Sequence, residues 1–224
     1  MELYDKSNNK ICINNLEYLN DGCNGNIYKL SDYECLKFFK SKDISCDLEV
    51  IKKIKDMQLD NFYEIRIPLF NKDKKFVGYI MKYYENLEID ILTMPVEYTL
   101  NNLISIYNSI IKLTDNNILI DDLDSYNIIF NRDKIIIIDC DKYTFNDGDN
   151  YTLKYNNIKC LEKLFVDLYF DSLFKYHKNE DCSDCIPKIY RLFRFRSYDE
   201  NKRLDNTCKR LIKYKYPIDL IRKK

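Results

Sequence analysis

Residues 118–130, ILIDDLDSYNIIF, and residues 135–141, IIIIDCD, contain the polar side chains that decide the fold. An acidic loop ends at Asn127, which begins a strand-like segment, and a turn then leads into four isoleucines that end at Asp139. Carboxylate and carboxamide oxygens brought together in this way are suitable ligands for magnesium. The alternative is a polar hairpin with solvated acids, but an apolar strand that ends in Asp-Cys-Asp indicates a use for the charge.

Three weaker signals precede this stretch. Gly22 and Gly25 lie between two strand-like segments, where glycines let the backbone approach an anion and point N–H groups at it. Lys37 lies in an apolar strand and needs an anionic partner if it points inward, and Glu49 on the following helix could be that partner. Each feature has an ordinary alternative: a hairpin turn, a lysine whose ammonium reaches solvent, and a glutamate on a helix surface.

The composition excludes several classes of protein. The chain has 224 residues, 46% hydrophobic and 32% charged, which suits one globular domain or two lobes around a cleft. Its 36 basic side chains balance 36 acidic ones, so the net charge does not indicate nucleic acid or an anionic membrane as a partner. No apolar run approaches the ~20 residues of a membrane helix. Nine scattered cysteines predict a reducing cytoplasm rather than a disulfide scaffold.

The single histidine and two short motifs give little support to other chemistries. His177 lies in a polar stretch, which predicts a solvated surface position and excludes zinc sites rich in histidine. Cys182 and Cys185 have the spacing of half a zinc or redox site, but no second pair follows, which favours two incidental thiols. Residues 190–196, YRLFRFR, could stack on nucleic acid, although a helix with an apolar face and snorkelling arginines explains them more simply.

The spacing of apolar residues predicts a strand-rich part followed by a helical part. Alternation and turn pairs predict about five strands, at 12–19, 26–30, 34–39, 65–70 and 76–84. Helical periods occur at 45–57 within the strand-rich part, and then at 98–114, 155–176, 187–195 and 202–214. Two short strands at 127–130 and 134–138 form a hairpin. The strand-rich part ends near residues 84–86, which predicts a division into residues 1–85 and 86–224.

These residues, in this order, resemble the signature of the protein-kinase-like superfamily. That signature consists of a glycine-rich loop, a strand lysine, a helix glutamate, H-R-D-L-x-x-x-N and D-F-G. The resemblance covers about residues 16–175 and is to a small, divergent kinase domain of bacterial or viral type. It implies an α+β, bilobal fold, in which a small antiparallel β lobe with one helix precedes a mainly helical lobe.

Carried over onto this sequence, the resemblance implies a role for each residue. Asp122 matches the catalytic aspartate, and Asn127 and Asp139 match the two ligands of magnesium. Lys37, with Glu49 as its ion-pair partner, matches the lysine that holds the α- and β-phosphates of ATP, and its ammonium is expected to face the Asp139 carboxylate. The other implied nucleotide-binding residues are Gly22, Gly25, Ile27, Cys35, Met81, Tyr83 and Ile129.

Departures from the signature limit what the resemblance implies. Ile120 and Asp121 replace the His and Arg before the catalytic aspartate, and Asp124 replaces the basic residue that usually contacts the γ-phosphate. The Asp-Cys-Asp at 139–141 replaces D-F-G, and its third-place acid is similar to aminoglycoside phosphotransferases. No A-P-E sequence follows, so an activation loop controlled by phosphorylation is not expected.

Two functions from different classes follow. The first is an ATP- and magnesium-dependent phosphotransferase that acts on a hydroxyl of a protein serine, threonine or tyrosine, or alternatively of a small molecule. The second is a pseudokinase that binds a nucleotide or a protein partner without catalysis. This alternative is favoured by three losses: a loop glycine, the arginine, and the basic residue that Asp124 replaces. The presence of both metal-binding positions favours the enzyme, because a scaffold has no chemical need for them.

Overall fold

A computed structural model describes residues 2–21, 24–40, 46–178, 184–193 and 200–222. Within these residues, seven strands form one antiparallel sheet: β1 (Glu2–Tyr4), β2 (Lys10–Cys12), β3 (Glu17–Asp21), β4 (Gly25–Lys29), β5 (Glu34–Phe39), β6 (Ile65–Phe70) and β7 (Phe76–Lys82). Their order across the sheet is β2-β1-β6-β7-β5-β4-β3. Helix α1 (Leu48–Met57) is inserted between β5 and β6.

The second part of the chain is mainly helical. Four short strands form two pairs, in which β8 (Ile118–Leu119) lies beside β11 (Thr144–Phe145), and β9 (Ile128–Phe130) lies beside β10 (Ile135–Ile137). The helices of the described residues in this part are α2 (Val96–Asp115), α3 (Asn150–Tyr176), α4 (Cys185–Phe193), α5 (Glu200–Leu211) and α6 (Pro217–Arg222). No described helix has both the length and the apolar character needed to cross a membrane.

Strand β5 directs Lys37 toward the helical part. Side chains alternate along a strand, so Cys35, Lys37 and Phe39 share one face. Cys35 and Phe39 belong to the main hydrophobic core, which continues into α2 and α3, whereas Leu36 belongs to a smaller core on the opposite face of the sheet. Lys37 therefore extends into the interior from the face that meets the helices, and it is buried there.

Backbone hydrogen bonds hold the hairpin β9–β10 against the segment between α1 and β6. Ile137 donates its N–H to the carbonyl of Asn61 and accepts from the N–H of Tyr63, both at 2.8 Å. The buried side chain of Asn61 donates in turn to the side chain of Asn102 on α2, at 3.0 Å. Because these buried backbone and side-chain groups are paired, the hairpin is held in place. Asp139 follows the hairpin in the chain and therefore has a defined position.

Several element predictions differ from the structure. The predicted strand at 12–19 is wrong, since Ile13–Asn15 forms a 3₁₀ helix before β3, and its two asparagines favour turns. Strands β1 and β2 were not predicted, because three residues are too few to show a period. Helix α3 begins at Asn150 rather than at 155, because the Asp149 side chain accepts a hydrogen bond from the N–H of Thr152, at 2.8 Å, as an N-cap.

The expectation for His177 is also wrong. Its ring is buried, and Nε2 lies 2.8 Å from Oδ2 of Asp90, so a side chain distant in sequence gives it an interior partner. Gly22, Cys182 and residues 194–196 lie outside the described residues, as does the first residue of the helix predicted at 45–57. The division of the chain at residues 85 and 86 stays a prediction.

Candidate active site

Lys37 contacts two carboxylates that follow β10. Its Nζ lies 2.9 Å from Oδ2 of Asp139, which is the contact expected from the sequence, and 2.5 Å from Oδ2 of Asp141. The Lys37 side chain is 5% exposed, whereas the side chains of Asp139 and Asp141 are 23% and 1% exposed. The lysine is therefore held between an acid in the interior and an acid that solvent can reach.

Asp141 is the interior partner of Lys37, and the sequence did not identify it as such. Its Oδ1 accepts a hydrogen bond from the hydroxyl of Tyr79, at 2.9 Å, and that hydroxyl accepts from Tyr63, also at 2.9 Å. The Cys46 thiol lies 3.8 Å from the same carboxylate oxygen. A connected set of buried donors thus fixes the carboxylate that orients Lys37.

The ionisation of this pair reflects competition between burial and charge. Burial acts to lower the pKa of Lys37, but the attraction of Asp141 and Asp139 outweighs it, so the pKa is raised and the ammonium is favoured. For Asp141, burial raises the pKa, and the Lys37 ammonium opposes that shift. Removal of Lys37 leaves Asp141 buried without a cation, and removal of Asp141 leaves the buried Lys37 with only the more exposed Asp139, so either change is costly.

The predicted ion pair between Lys37 and Glu49 is wrong. The Glu49 side chain is 66% exposed and pairs with Lys52 on the same helix. Glu49 lies in the first turn of α1, where its backbone N–H donates to the capping side chain of Asp47, at 2.8 Å. Val50, Ile51 and Ile54 turn the opposite face of the helix into the core, so Glu49 points outward.

The acidic loop has a fixed backbone. Asp122 has a φ of 62°, in the left-handed region that aspartate and asparagine tolerate better than most residues. The Asp121 side chain accepts a hydrogen bond from the N–H of Asp122, at 2.9 Å. The Asp124 side chain caps the 3₁₀ helix Ser125–Asn127 and accepts from the N–H groups of Tyr126 and Asn127, at 2.9 and 3.2 Å. Asp121 and Asp124 therefore shape the loop that presents Asp122.

Asn127 connects this loop to the strand that delivers Asp139. Its side-chain nitrogen donates to the carbonyl of Asp122, at 2.7 Å, and its own carbonyl accepts from the N–H of Ile138, at 2.9 Å. Asn127 thus lies beside the residue that precedes Asp139. Because the amide nitrogen is used, the amide oxygen is the atom left to bind a cation, and it and the Asp139 carboxylate are oxygen donors of the kind that magnesium prefers.

Five apolar residues expected at a nucleotide site belong to one hydrophobic cluster. Cys35 and Met81 are paired across β5 and β7 and are buried, and Ile27, Tyr83 and Ile129 pack against the same cluster while partly exposed. Apolar side chains that are partly exposed are the kind of groups on which a nucleotide base packs. Their role in nucleotide binding stays a prediction.

Gly25 makes room for Lys37. A Cβ at this position would lie 2.9 Å from the carbonyl oxygen of Phe38 and 3.2 Å from Cγ of Lys37. We expect Gly25→Ala to destabilise the fold by about 1–3 kcal/mol, the usual cost of overpacking, and to displace the lysine. Gly148→Ala is the matched control, because a Cβ there meets first only a flexible side-chain oxygen of Asn146, at 3.3 Å. Thermal melts of both variants check this, and equal melts would contradict it.

Two side chains of the site carried little signal in the sequence. Asp141 stands out in the sequence only as the third-place acid of Asp-Cys-Asp. Lys142 matches no motif, yet its Nζ lies 2.7 Å from Oδ2 of Asp122. The contact between Lys142 and Asp122 joins residues twenty positions apart and depends on the direction of the turn that contains Lys142. A local sequence pattern does not predict such a contact.

Comparisons with known proteins find similarity only at the level of structure. No protein-family model and no curated protein matches the sequence. The chain is similar to the Cydia pomonella granulovirus kinase PK-1, with 16% identity and a TM-score of 0.46 over 58% of this chain, and it spans about half of that kinase, 51%. It is also similar to the aminoglycoside phosphotransferase APH(2'')-Ib in its ADP-bound form, with 15% identity and a TM-score of 0.41, over 90% of this chain and 93% of that chain.

The order of elements in the described residues resembles the one expected for a protein-kinase-like fold. A curled antiparallel sheet with one inserted helix precedes a mainly helical part, as in a bilobal kinase fold. The lysine of β5 meets the aspartate that follows the hairpin β9–β10, and the acidic loop before that hairpin ends in an asparagine. This is the order of parts in the kinase signature.

Proposed function

We propose that the chain is a phosphotransferase that uses ATP and transfers the γ-phosphate to a hydroxyl group. The observation that carries the proposal is the contact of Lys37 with Asp139, at 2.9 Å, next to a loop in which Asn127 is bonded to Asp122. Phosphoryl transfer requires a cation for the phosphates, oxygen ligands for a metal ion and a carboxylate for the acceptor. These residues supply all three.

The nucleotide lies between the sheet and the acidic loop. Lys37 contacts the α- and β-phosphates, and the two acids on either side of it keep the ammonium charged and in one position. Ile27, Cys35 and Met81 pack against the base, together with Tyr83 and Ile129. Gly25 lets the backbone of β4 approach the phosphates closely.

Asn127 and Asp139 hold magnesium. Two protein oxygens combined with phosphate oxygens are typical for this ion, which keeps few protein ligands and prefers octahedral oxygen sites. When bound, magnesium neutralises charge on the phosphates and orients them for displacement. The role of the chain is to fix the two side chains: Asn127 donates to the carbonyl of Asp122, and the Asp139 carboxylate accepts from the N–H of Asp141 and pairs with Lys37.

Asp122 orients the acceptor hydroxyl and accepts its proton. Its side chain is 39% exposed, so an acceptor can reach it, while the loop fixes its backbone. The acceptor is a serine, threonine or tyrosine hydroxyl of a protein, with a small-molecule alcohol as the second class. Proton acceptance by a positioned carboxylate contributes about 10²–10⁴-fold to a rate.

A nucleotide-binding pseudokinase is the second candidate, and one observation favours it. Glu49 points to solvent instead of pairing with Lys37, so one contact of the kinase signature is missing in this structure. The buried Asp141 pairs with Lys37 instead, so the lysine has an interior carboxylate partner without Glu49.

Nucleotide-dependent thermal stability tests the metal site. We expect ATP to raise the melting temperature of the wild-type chain more with magnesium than without it, because a ligand stabilises the state that binds it. Asp139→Asn is expected to lose most of the magnesium-dependent part. Asp133→Asn is the matched control, because Asp133 is an exposed acid in the turn between β9 and β10.

The outcome separates the two candidates. A magnesium-dependent shift that Asp139→Asn removes and Asp133→Asn retains supports the enzyme. Equal stabilisation by ATP with and without magnesium, in wild type and in Asp139→Asn alike, supports the pseudokinase and contradicts the proposed metal site.

A further inference from the structure

Lys142 forms an ion pair with the aspartate proposed to accept the proton. Its Nζ lies 2.7 Å from Oδ2 of Asp122, and the side chains of the two residues are 42% and 39% exposed. Lys142 is also close enough to interact electrostatically with Asp121 and Asp139. It therefore lies among the acids of the site, on the side that solvent and substrates reach.

The backbone of Lys142 is held in place by its neighbours. Asp141 and Tyr143 are both buried, and the N–H of Tyr143 donates to the carbonyl of Cys140, at 3.1 Å, which closes a tight turn. In this turn the side chains before and after Lys142 point into the core, so the lysine is the one directed outward. Its position next to Asp122 follows from this turn and needs no flexible loop.

The charges of the site create a need for this lysine. The acidic loop contributes three carboxylates, and Asp124, which stands where the kinase signature has a basic residue, is occupied as the cap of a 3₁₀ helix. Lys37 is already engaged by both Asp139 and Asp141. A transferred phosphoryl group carries negative charge on its oxygens and needs a cation next to the acceptor, not only at the α- and β-phosphates.

We propose that Lys142 is a catalytic residue that binds the transferred phosphoryl group beside Asp122, an inference that rests on the proposed function. An exposed ion pair contributes little to stability, so Lys142 exchanges a carboxylate oxygen of Asp122 for a phosphoryl oxygen without a large penalty. In the kinase signature, the basic residue that contacts the γ-phosphate lies within the loop that holds the catalytic aspartate. In this chain Lys142 supplies that positive charge from the turn after Asp141.

The transfer step balances with these groups. The acceptor oxygen forms a bond to the γ-phosphorus, and the bond between that phosphorus and the β–γ bridging oxygen breaks, so its electron pair stays with ADP. The acceptor proton moves to Asp122, which is available once Lys142 has moved to the phosphoryl oxygens. Lys142 keeps its protons throughout and contributes only charge and hydrogen bonds.

Two lysine variants and a control test the proposal. We expect Lys142→Met to lower turnover of ATP about a hundredfold, as for the loss of one transition-state donor, with the affinity for magnesium-ADP unchanged. Lys142→Arg retains the charge and is expected to recover most of the turnover. Lys209→Met removes a lysine from an exposed ion pair with Asp205 on α5 and is expected to match wild type.

A second readout does not depend on turnover. Aluminium fluoride added to magnesium-ADP mimics a phosphoryl group in transfer, so it is expected to raise the melting temperature of wild type and of Lys142→Arg above the value with magnesium-ADP alone. Lys142→Met is expected to lose this gain. A lysine that only orients Asp122 would leave the gain intact, because no acceptor is present in the measurement.

Several results would overturn the proposal. Turnover in Lys142→Met that equals or exceeds that of wild type would do so. A gain in melting temperature from aluminium fluoride that is absent in wild type would also do so, as would a gain that is unchanged in Lys142→Met. If Asp139→Asn and Lys37→Met abolish turnover while Lys142→Met does not, the proposed function stands and this inference fails. If wild type neither turns over ATP nor binds magnesium-ADP, both fail together.

Discussion

Replacement of Asp122 by asparagine is expected to lower turnover of ATP by roughly a hundredfold or more while leaving nucleotide affinity almost unchanged. The carboxylate acts on the acceptor hydroxyl in the transition state, and loss of a general base usually costs about 10²–10⁴ in rate. Asparagine is the appropriate variant, because it tolerates the left-handed backbone of this position, where φ is 62°. A change in kcat without a change in nucleotide binding therefore reports chemistry rather than a disturbed loop.

Asp121→Asn and Asp124→Asn are the matched controls for Asp122→Asn. Each of these acids lies within two residues of Asp122 and accepts backbone hydrogen bonds, which an asparagine oxygen continues to accept. We expect both variants to retain turnover within about tenfold of wild type. Loss of activity in a control but not in Asp122→Asn would show that the acceptor meets a different acid of the loop.

The second large effect is expected on stability, for Asp141→Ala. This change removes the carboxylate that lies 2.5 Å from Lys37 and 2.9 Å from the hydroxyl of Tyr79, and both partners are buried. Breaking a buried ion pair by removal of one partner usually costs about 3–5 kcal/mol. Because Lys37 keeps its contact with the more exposed Asp139, at 2.9 Å, we expect a loss at the lower end of that range, about 3 kcal/mol. Denaturation by urea measures this as a fall in the free energy of unfolding.

Two further variants define what the effect of Asp141→Ala means. Glu49→Ala removes an exposed acid and is expected to change the free energy of unfolding by less than about 0.5 kcal/mol. Lys37→Met in the Asp141→Ala background is expected to restore part of the lost stability, since it removes an ammonium that has lost its buried partner. If Asp141→Ala is as mild as Glu49→Ala, Asp141 is not the partner that holds Lys37.

The parts of the site that lie on regular strands could be predicted from the sequence. Lys37 stands in an alternating strand, and Asp139 ends a run of isoleucines, so both positions follow from the period of the side chains and from the kinase order of motifs. The hairpin that brings Asn127 beside Ile138 is likewise local, because a short turn fixes its register. These features depend on neighbours in sequence.

The partners of those residues could not be predicted, because they depend on how elements pack. Glu49 follows the lysine strand at the expected spacing, but the cap at Asp47 and the core face of α1 turn it outward. Asp141 reaches Lys37 only because Tyr79 on β7 and Lys37 are paired across the sheet and Asp141 packs beneath them. The side chain of Lys142 meets Asp122 through a turn whose direction is set by burial of its two neighbours.

The central claim, that this site transfers the γ-phosphate of ATP, is tested most directly by incubation of the purified chain with γ-labelled ATP and magnesium. Protein acceptors and small-molecule alcohols are supplied in separate reactions, and a chain with Lys37→Met and Asp139→Asn is the control. We predict label on an acceptor with the wild-type chain and none with the double variant. Absence of label with both acceptor classes, or equal label from the double variant, would contradict the claim.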